Sequence, residues 1–439
     1  MSKYLFIFFI TVFSFSNNTF SQSEIGLHFV DVMQTSKTNP AWIGQEKIQI
    51  GLPNLHLNYY NTAGAFNGLI RDFIDGADQL NIGDALNDLS ENENILRGGI
   101  ELNTFEFGYK FGNLRLGLSH AQKVDLFIDY PQALPQLFLE GNSQFVGQTV
   151  DLGHQINLTS YNEFALSGAF SFSKLTLGAK LKYLTGIANA SVDDNNNTLT
   201  LFTDSDIYQL TLVSDFTLNT STIINADDLS NFRLDFGSFN GDDIFTNNNG
   251  FAIDLGLTFQ LNEKIKIAAS VIDLGTIDWT ENINNYSSNG SATYNGFDLT
   301  EISGGNEIDF SNGLDTLEEV FNFSETQNEY STSLPTKIYL SATYDLNEMW
   351  QLGGLLFTEI YQGRNFPMVA LSGRAKISDK ISVGGNYSAR EDSFFNLGLN
   401  FAVRLGPVQL YGISDNVLGV FNPYESSNVN LRTGLNLLF

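Results

Sequence analysis

The sequence contains no cysteine, and it has only 8 prolines, 4 methionines and 4 histidines in 439 residues. The absence of cysteine excludes a disulfide framework, a thiolate zinc site, a cysteine nucleophile and a lipidated N-terminal cysteine. No two of the histidines (His28, His56, His120 and His154) form an H-x-x-x-H pair, so a histidine metal site is not expected. The sequence therefore predicts neither a bound metal ion nor any other cofactor.

Basic residues are also scarce: 22 Lys and Arg stand against 49 Asp and Glu, a formal net charge of −27. Proteins that bind nucleic acid carry a basic patch, so nucleic acid is excluded as a partner. We interpret the acidity as solvation of long polar loops, and calcium-collecting loops are the alternative. Asp193, Asn195 and Asn197 match the first ligand positions of an EF-hand loop, but Thr198 and Asp204 replace its glycine and its final glutamate. A polar hairpin tip is the favoured interpretation of this stretch.

Long hydrophobic segments are missing as well, because no stretch reaches the ~20 apolar residues of a transmembrane helix. The N-terminus does resemble a secretory signal: Lys3 precedes an apolar run over residues 4–15, and Thr19 and Ser21 are small residues at the positions that precede a cleavage site. We predict a signal peptide over residues 1–21. The protein is then exported, and it can enter a membrane only as strands.

Aromatic residues and glycine are abundant, with 37 Phe, 17 Tyr and 39 Gly. Such a composition favours strands. Apolar and polar residues alternate with period two in blocks of about ten residues. In the last block, Val429, Leu431, Leu435 and Leu437 share one face, and the chain ends at Phe439. A long apolar-out, polar-in strand that ends on an aromatic residue is typical of a transmembrane barrel, so Phe439 is predicted to close the barrel.

Tight turns join many of these blocks, as at Gly112-Asn113, Ser173-Lys174 and Asn262-Glu263. Counting the blocks predicts an all-β fold, a transmembrane antiparallel β-barrel of about 14 strands (range 12–16) over residues 47–439. Four of the predicted strands lie near 100–111, 114–122, 161–172 and 175–186. The long connections all fall on one side and are predicted to be external loops, at 61–99, 123–160, 187–249 and 274–333. Short periplasmic turns and long external loops are the usual asymmetry of a bacterial barrel.

Aromatic residues near strand ends suit interfacial girdles, although packing inside the barrel is an equally good interpretation for any one of them. They are Tyr59, Tyr60, Tyr183, Tyr344, Trp350 and Tyr361. Before the first strand, Asn39-Pro40-Ala41 forms a predicted turn, because proline fixes its own φ and restricts the preceding residue. This turn is either a plain entry turn or part of an N-terminal hatch-like segment over residues 22–46 that folds into the lumen.

Motifs of enzyme active sites are absent: the sequence has no H-E-x-x-H, no Walker loop, no G-x-S-x-G and no dinucleotide glycine fingerprint. No Ser, Asp or Glu has a spacing that indicates a catalytic group. We therefore predict no catalytic residue and no enzyme.

Several segments resemble an uncharacterised outer-membrane family, of unknown function, that is common in Bacteroidota. They are Leu27-His28-Phe29-Val30 through Asn39-Pro40-Ala41, Ile50-Gly51-Leu52-Pro53, residues 85–92, Val271 through Trp279, and residues 406–416. The Asn-Pro-Ala start is similar to that of the PorP/SprF proteins of type IX secretion and gliding, and to that of barrels like the long-chain fatty acid transporter. The latter resemblance implies fourteen strands and an N-terminal hatch. It implies no site residue.

The predicted function is that of a transport or channel barrel in the cell outer membrane, which passes a hydrophobic or small solute through a plugged lumen. The alternative is a structural or anchoring component of a cell-surface or type IX secretion and gliding assembly. The expected partners are outer-membrane lipid and lipopolysaccharide, the barrel assembly machinery during insertion, and a secreted or surface protein.

Overall fold

The computed structural model of the protein describes residues 24–62, 86, 89–91, 94–222, 246–294, 324–390, 393–422 and 426–439. The predicted signal peptide (residues 1–21) lies outside the described residues, as does most of the predicted connection 61–99 up to residue 93.

In the described part of the chain, twenty β-strands form one antiparallel sheet that closes on itself. The strands are β1 (Ile48–Gly51), β2 (Asn54–Asn61), β3 (Asn94–Phe111), β4 (Leu114–Tyr130), β5 (Thr149–Asp151), β6 (Gln155–Phe172), β7 (Leu175–Thr203), β8 (Leu210–Ser221), β9 (Asn249–Gln260), β10 (Ile265–Trp279), β11 (Ile283–Tyr294), β12 (Ser324–Thr326), β13 (Tyr330–Ser333), β14 (Thr336–Asp345), β15 (Trp350–Tyr361), β16 (Arg364–Ser378), β17 (Ile381–Arg390), β18 (Ser393–Leu405), β19 (Val408–Ser414) and β20 (Asn428–Leu438).

Sixteen of these segments, taken around the ring, make the fourteen strands of the barrel wall. β1 and β2 together form the first wall strand, and β13 and β14 form the eighth. The remaining wall strands are β3, β4, β6, β7, β9, β10 and β15 to β20, and β20 pairs with β1 and β2 to close the ring. The predicted fourteen-stranded antiparallel barrel is confirmed.

The first wall strand is interrupted at Leu52-Pro53. Proline has no backbone N–H to donate, so a strand commonly breaks or bulges at this residue. β20 bonds both halves, because Gly51 lies opposite Asn436 and Leu55 lies opposite Thr433. Phe439 extends the pairing of β20 with β1, the seam of the barrel, by one residue: it exchanges backbone hydrogen bonds of 2.9 Å with Ile48.

The wall is apolar outside and polar inside. Leu181 and Leu371 are 57% and 66% exposed on the outer surface, whereas Arg432 and Asn436 are buried on the inner face of β20. Alternation of this kind places a hydrocarbon-compatible band around a polar interior, which is the pattern of a membrane-spanning barrel. Closure satisfies the backbone groups of every wall strand without leaving a free edge in lipid.

Several strands run beyond their predicted ends on the side of the long connections. β3 begins at Asn94, β4 ends at Tyr130 and β6 begins at Gln155, so the pairs Asn94–Tyr130 and Asp129–Gln155 continue the ladders. Apolar-polar alternation weakens in these extensions, because strands that have left the lipid no longer need an apolar outer face. The pattern therefore marks the lipid-facing part of a strand better than its full length.

β7 continues furthest, through Thr203, and carries a small extension of the sheet past the wall. Beyond its last pair with β9 (Thr185–Asn249), it pairs with β8 and β5; β8 pairs with β11, and β11 with β12. The prediction of a hairpin tip at residues 193–197 is wrong, since these residues lie within β7 at a bulge between Val192 and Asn197. The turn lies at residues 204–209, where Asp204 accepts the N–H groups of Asp206 and Ile207.

The helices are short. α1 (Ile25–Phe29), α2 (Ala133–Glu140) and α3 (Val417–Phe421) are α-helices, and Met33–Lys37 and Ser143–Phe145 are 3-10 turns. Within the described residues, none of the helices has the length and apolar character required to cross a membrane.

Five of the six aromatic residues near strand ends divide between the two interpretations, and Tyr59 is half-buried. Tyr183, Tyr344 and Trp350 are exposed on the outer surface, as a girdle requires. Tyr60 and Tyr361 are instead buried inside the barrel, in a cluster completed by Ile95, Phe127 and Phe366.

Candidate functional site

Residues 24–46, which we call the N-terminal segment, lie inside the barrel against inward-facing wall residues. Ile25 and Phe29 of α1 pack in an apolar cluster with wall residues of β10 and β14 to β16. Leu27, Val30 and Val32 pack on the other side with Ala402, Tyr411 and Ile413 of β18 and β19. The N-terminal segment therefore packs against inward-facing wall residues on two sides.

The Asn39-Pro40-Ala41 turn seats this segment on the wall. The Asn39 side chain accepts the Ala41 N–H (2.9 Å) and donates to the Leu257 carbonyl of β9 (3.2 Å). The turn lies against Gly178 and Gly256, which face each other in β7 and β9. A Cβ atom at Gly178 would stand 2.2 Å from the Pro40 carbonyl, and one at Gly256 would stand 2.2 Å from Asn39 Oδ1. We call this pair the glycine seat, because only residues without a side chain leave room for the turn.

Two further contacts hold the segment through side chains. The Asp415 carboxylate, just after β19, accepts the backbone N–H groups of Ile25 (3.0 Å) and Gly26 (2.7 Å). Gln34 and Asn436 exchange two amide hydrogen bonds of 2.8 and 3.0 Å. Buried polar groups of the segment and of the wall thus satisfy each other.

An ion network crosses from the segment to the wall next to the β20 seam. Arg432 lies 2.8 Å from Glu24 and 3.2 Å from Glu101, and Lys37 lies 2.8 Å from Glu101. His56 is 3.4 Å from Glu24. We call these five residues the seam cluster. Donor atoms of Glu24, His56 and Glu101 are close enough to share a metal ion. However, Arg432 and Lys37 already neutralise the two carboxylates, so the arrangement is an ion-pair network.

A second network, the β7 cluster, lies further around the wall and consists of Lys123, Glu163, Lys182, Asp254 and Asp273. Lys182 is its centre: its ammonium contacts Asp273 and lies 2.8 Å from Asp254 and 3.6 Å from Glu163. Lys123 lies 2.6 Å from Glu163. All five side chains come from wall strands and point into the lumen, and their mutual contacts offset the cost of burying charge.

The lumen is therefore layered. On the loop side, where the long connections lie, inward-facing residues form two apolar clusters, one around Phe127 and Tyr361 and one around Trp279 and Ile277. The middle layer holds the seam and β7 clusters. On the turn side, where the tight turns lie, the N-terminal segment and the wall line an open cavity of about 640 Å³.

His28 of α1 makes the nearest approach to a catalytic pair, but it lacks the third member. Its Nε2 lies 2.8 Å from Ser341 Oγ, and its Nδ1 lies 3.1 Å from Thr38 Oγ1. Thr38 donates its own hydroxyl hydrogen to the Thr35 carbonyl, so it can only accept from His28. Among the described residues, no carboxylate orients the ring as in a serine hydrolase, and the pair serves to hold α1 against β14.

We call the binding of the N-terminal segment to the wall docking. Two ionisable groups are expected to make docking depend on pH, with opposite effects. Burial, with a contribution from Lys266, lowers the pKa of His28 from 6.5 to about 4. The docked segment then binds fewer protons than the released one, so docking weakens as the pH falls from 6.5 to 4. Burial raises the pKa of Asp415 from 3.8 to about 6, despite the N–H groups of Gly26 and Ile25. Docking through Asp415 therefore strengthens as the pH falls from 6 to 3.8.

Single substitutions should separate the two responses. Acidification from pH 7 to 5 is expected to strengthen docking about tenfold in His28→Gln and to weaken it about twentyfold in Asp415→Asn. Since the chain has no cysteine, maleimide labelling of an Ala41→Cys background reports release, because Ala41 is buried. A pH response of the same sign in both variants would contradict this assignment.

Sequence reasoning found only part of this site. Asn39, Pro40 and Ala41 lie on the glycine seat, and Phe439 lies at the seam, as described above. The two ion clusters and Asp415 were not predicted from the sequence. A usable signal was present for Arg432, which falls on the polar face of the last predicted strand, because an ionisable residue at membrane depth usually has a functional or structural partner.

Comparisons with known proteins return one family model and a set of solved barrels. The model of a family of unknown function (DUF5723) matches residues 40–415. No curated protein matches. The toluene transporter TbuX of Ralstonia pickettii is 10% identical, with 93% of this chain and 94% of that chain covered and a TM-score of 0.44. A FadL homologue of Pseudomonas aeruginosa is 10% identical (94% and 96% covered, TM-score 0.41). The translocator domain of the autotransporter NalP of Neisseria meningitidis is 7% identical (92% and 93% covered, TM-score 0.36).

Proposed function

The chain belongs to the DUF5723 family of unknown function, and we propose that it is an outer-membrane transport barrel whose lumen is closed by its own N-terminal segment. The observation that carries the proposal is the seating of Asn39-Pro40 on two facing glycines of the wall. A seat of this kind fixes where the segment rests without joining it covalently to the wall. In this proposal residues 1–21 direct export, and the long connections face outward.

The N-terminal segment is built to leave its seat. It is bound through side-chain hydrogen bonds, ion pairs and apolar contacts, and regular pairing with the wall begins only at Ile48. The bonds from Asp415 and between Gln34 and Asn436 each involve groups that water can satisfy after release. Such a segment can move on the time scale of loop motions without opening the barrel wall.

The solute is proposed to be hydrophobic or small. The loop-side layer of the lumen offers the apolar and aromatic surface on which such a molecule would bind first. The charged middle layer then favours solutes that are small enough to pass between fixed ion pairs, such as Arg432–Glu101 and Lys182–Asp254. Outer-membrane lipid and lipopolysaccharide surround the barrel in this proposal, and the barrel assembly machinery inserts it.

A reducible lock tests whether the segment must move. The ideal Cβ position of Gly26 lies 2.6 Å from Ile413 Cγ2, which puts the two Cβ atoms at most about 4 Å apart, within the range of a disulfide. In a Gly26→Cys/Ile413→Cys variant, oxidation is expected to abolish solute passage, and reduction to restore it. The readouts are single-channel conductance in planar bilayers and uptake of N-phenyl-1-naphthylamine into liposomes.

The Gly26→Cys and Ile413→Cys single variants are the controls, and neither should respond to oxidant. The proposal fails if the oxidised double variant conducts and takes up the dye as well as the reduced one. Deletion of residues 22–46 gives a second, independent test: a truncated barrel that neither conducts nor transports contradicts closure by this segment.

A role in anchoring is the second candidate. It is favoured by the sheet extension of β5, β7, β8, β11 and β12, which carries Ile207 and Tyr208 exposed at its tip. A surface or type IX secretion and gliding assembly would bind there. Affinity purification from gently solubilised membranes, with and without residues 204–209, tests it: recovery of the barrel alone from both samples would contradict an anchor.

A further inference from the structure

The turn-side cavity differs from the rest of the lumen in its charge. Four basic side chains line it, Lys110, Lys174, Lys266 and Arg374, and they face one acidic residue, Asp31. The local balance is +4 − 1 = +3, in a protein whose net charge is −27. Trp42, which also lines the cavity, donates its indole N–H to Asp31 (3.2 Å).

Among the described residues, none of the four cations lies within 4 Å of a carboxylate, unlike the arginine and the lysine of the seam cluster. Lys110 donates to the Gly44 carbonyl (3.1 Å), Lys174 to the Leu261 carbonyl (3.4 Å) and Arg374 to the Phe29 carbonyl (3.4 Å). Among the described residues, Lys266 has no hydrogen-bond or ion-pair partner. In the middle layer, by contrast, both lysines of the β7 cluster lie within 4 Å of a carboxylate.

A neighbouring cavity of about 410 Å³ on the same side makes the contrast sharper. It also has four basic lining residues, but two of them are neutralised: Lys376 pairs with Asp379 (3.0 Å), and Arg404 pairs with Glu46. Arg374 lines both cavities, so the contrast is one of degree: two of the four cations of the smaller cavity are in ion pairs, and none of the four in the larger cavity is.

We propose that the larger turn-side cavity is a binding site for a small organic anion that carries at least two negative charges and an apolar portion. The oxyanions would pair with Lys174, Lys266 and Arg374, and the apolar portion would lie on Phe29 and Trp42. The cavity volume is that of an ordinary small-molecule site. Because the walls come from the barrel and the aromatic surface from the N-terminal segment, an anion bound there bridges the two. The site does not depend on the solute that crosses the lumen.

Binding of phenyl phosphate to the purified full-length barrel in detergent tests the site, with isothermal titration as the readout. The Lys174→Gln/Lys266→Gln variant is expected to bind at least about tenfold more weakly, as for the loss of two charge-assisted contacts. Neither lysine bonds the backbone of the N-terminal segment, so docking stays intact. Lys47→Gln/Lys264→Gln removes the same charge at the same end but outside the cavity, and it is expected to bind like the wild type.

Two further ligands define the chemistry. Phenol, which has the ring without the charge, should not bind, and inorganic phosphate, which has the charge without the ring, should bind more weakly than phenyl phosphate. If phenyl phosphate binding is weakened equally in both double variants, binding depends on the general positive charge at this end of the barrel, and the site is overturned. Absence of phenyl phosphate binding to the wild type would overturn it too. Should Lys174→Gln/Lys266→Gln fail to fold, Lys174→Gln carries the same comparison against Lys264→Gln, with the same two results deciding it.

Discussion

The Gly178→Val substitution is expected to open the lumen. A Cβ atom at this position would stand 2.2 Å from the carbonyl carbon and oxygen of Pro40 and 2.3 Å from the Ala41 nitrogen. These are backbone atoms and cannot swing aside as the end of a side chain can, so the N-terminal segment has to leave the glycine seat. Valine itself suits a strand, and the β7–β9 ladder can remain. Single-channel recordings should show openings at least about ten times more frequent than in the wild type, equivalent to about 1.4 kcal/mol of lost docking.

Gly168→Val is the matched control for this change. Gly168 lies in the neighbouring strand β6, and a Cβ there would meet its nearest atom, Leu116 Cδ2, at 3.7 Å. It should leave the conductance unchanged. If Gly178→Val stays closed while the barrel is folded, the N-terminal segment is not what closes the lumen.

Periodicity predicted the barrel because the membrane imposes the same requirement on every wall strand. Each strand must show an apolar face to lipid, and tight turns such as Gly112-Asn113 mark where one strand returns as the next. The requirement ends where the strand leaves the lipid. The distal half of β7, from Ala188 to Thr203, was accordingly predicted as part of a loop, although it pairs with β8.

Only the part of the candidate site that is set by residues adjacent in sequence was predicted. The dipeptide Asn39-Pro40 predicts a turn, because these two residues fix the geometry of the turn. Its seat depends on Gly178 and Gly256, which are remote in sequence and meet only when β7 pairs with β9. A glycine within a strand indicates close approach of another chain segment, but it does not say which one approaches.

The same limit applies to charge. Arg432 could be placed on the inner face of the last strand, but its partners Glu24 and Glu101 come from the N-terminal segment and from β3. Partners of this kind are set by how the barrel closes, which a pattern of period two does not encode.

Replacement of Lys182 by methionine is expected to destabilise the barrel severely. The Lys182 side chain is 3% exposed and contacts Glu163, Asp254 and Asp273. Methionine keeps an unbranched side chain, one atom shorter, and removes the charge, which leaves three buried carboxylates with Lys123 as their remaining partner in the β7 cluster. Removing one partner from a buried ion network typically costs about 3–5 kcal/mol. Urea unfolding of the barrel in lipid vesicles measures the loss.

We attribute the expected loss of stability to charge balance rather than to side-chain shape, and a second substitution tests this cause. In the β7 cluster the wild-type balance is 2 − 3 = −1, and it becomes 1 − 3 = −2 in Lys182→Met. Lys182→Met/Asp254→Asn returns it to 1 − 2 = −1, and the new amide oxygen can still accept the Asp273 N–H, as Asp254 does at 2.8 Å. The double variant should therefore unfold at a higher urea concentration than the single variant. The control is Lys264→Met, which replaces an exposed lysine and should unfold at the same urea concentration as the wild type. Equal loss in the single and double variants would mean that packing, not charge, governs this layer of the lumen.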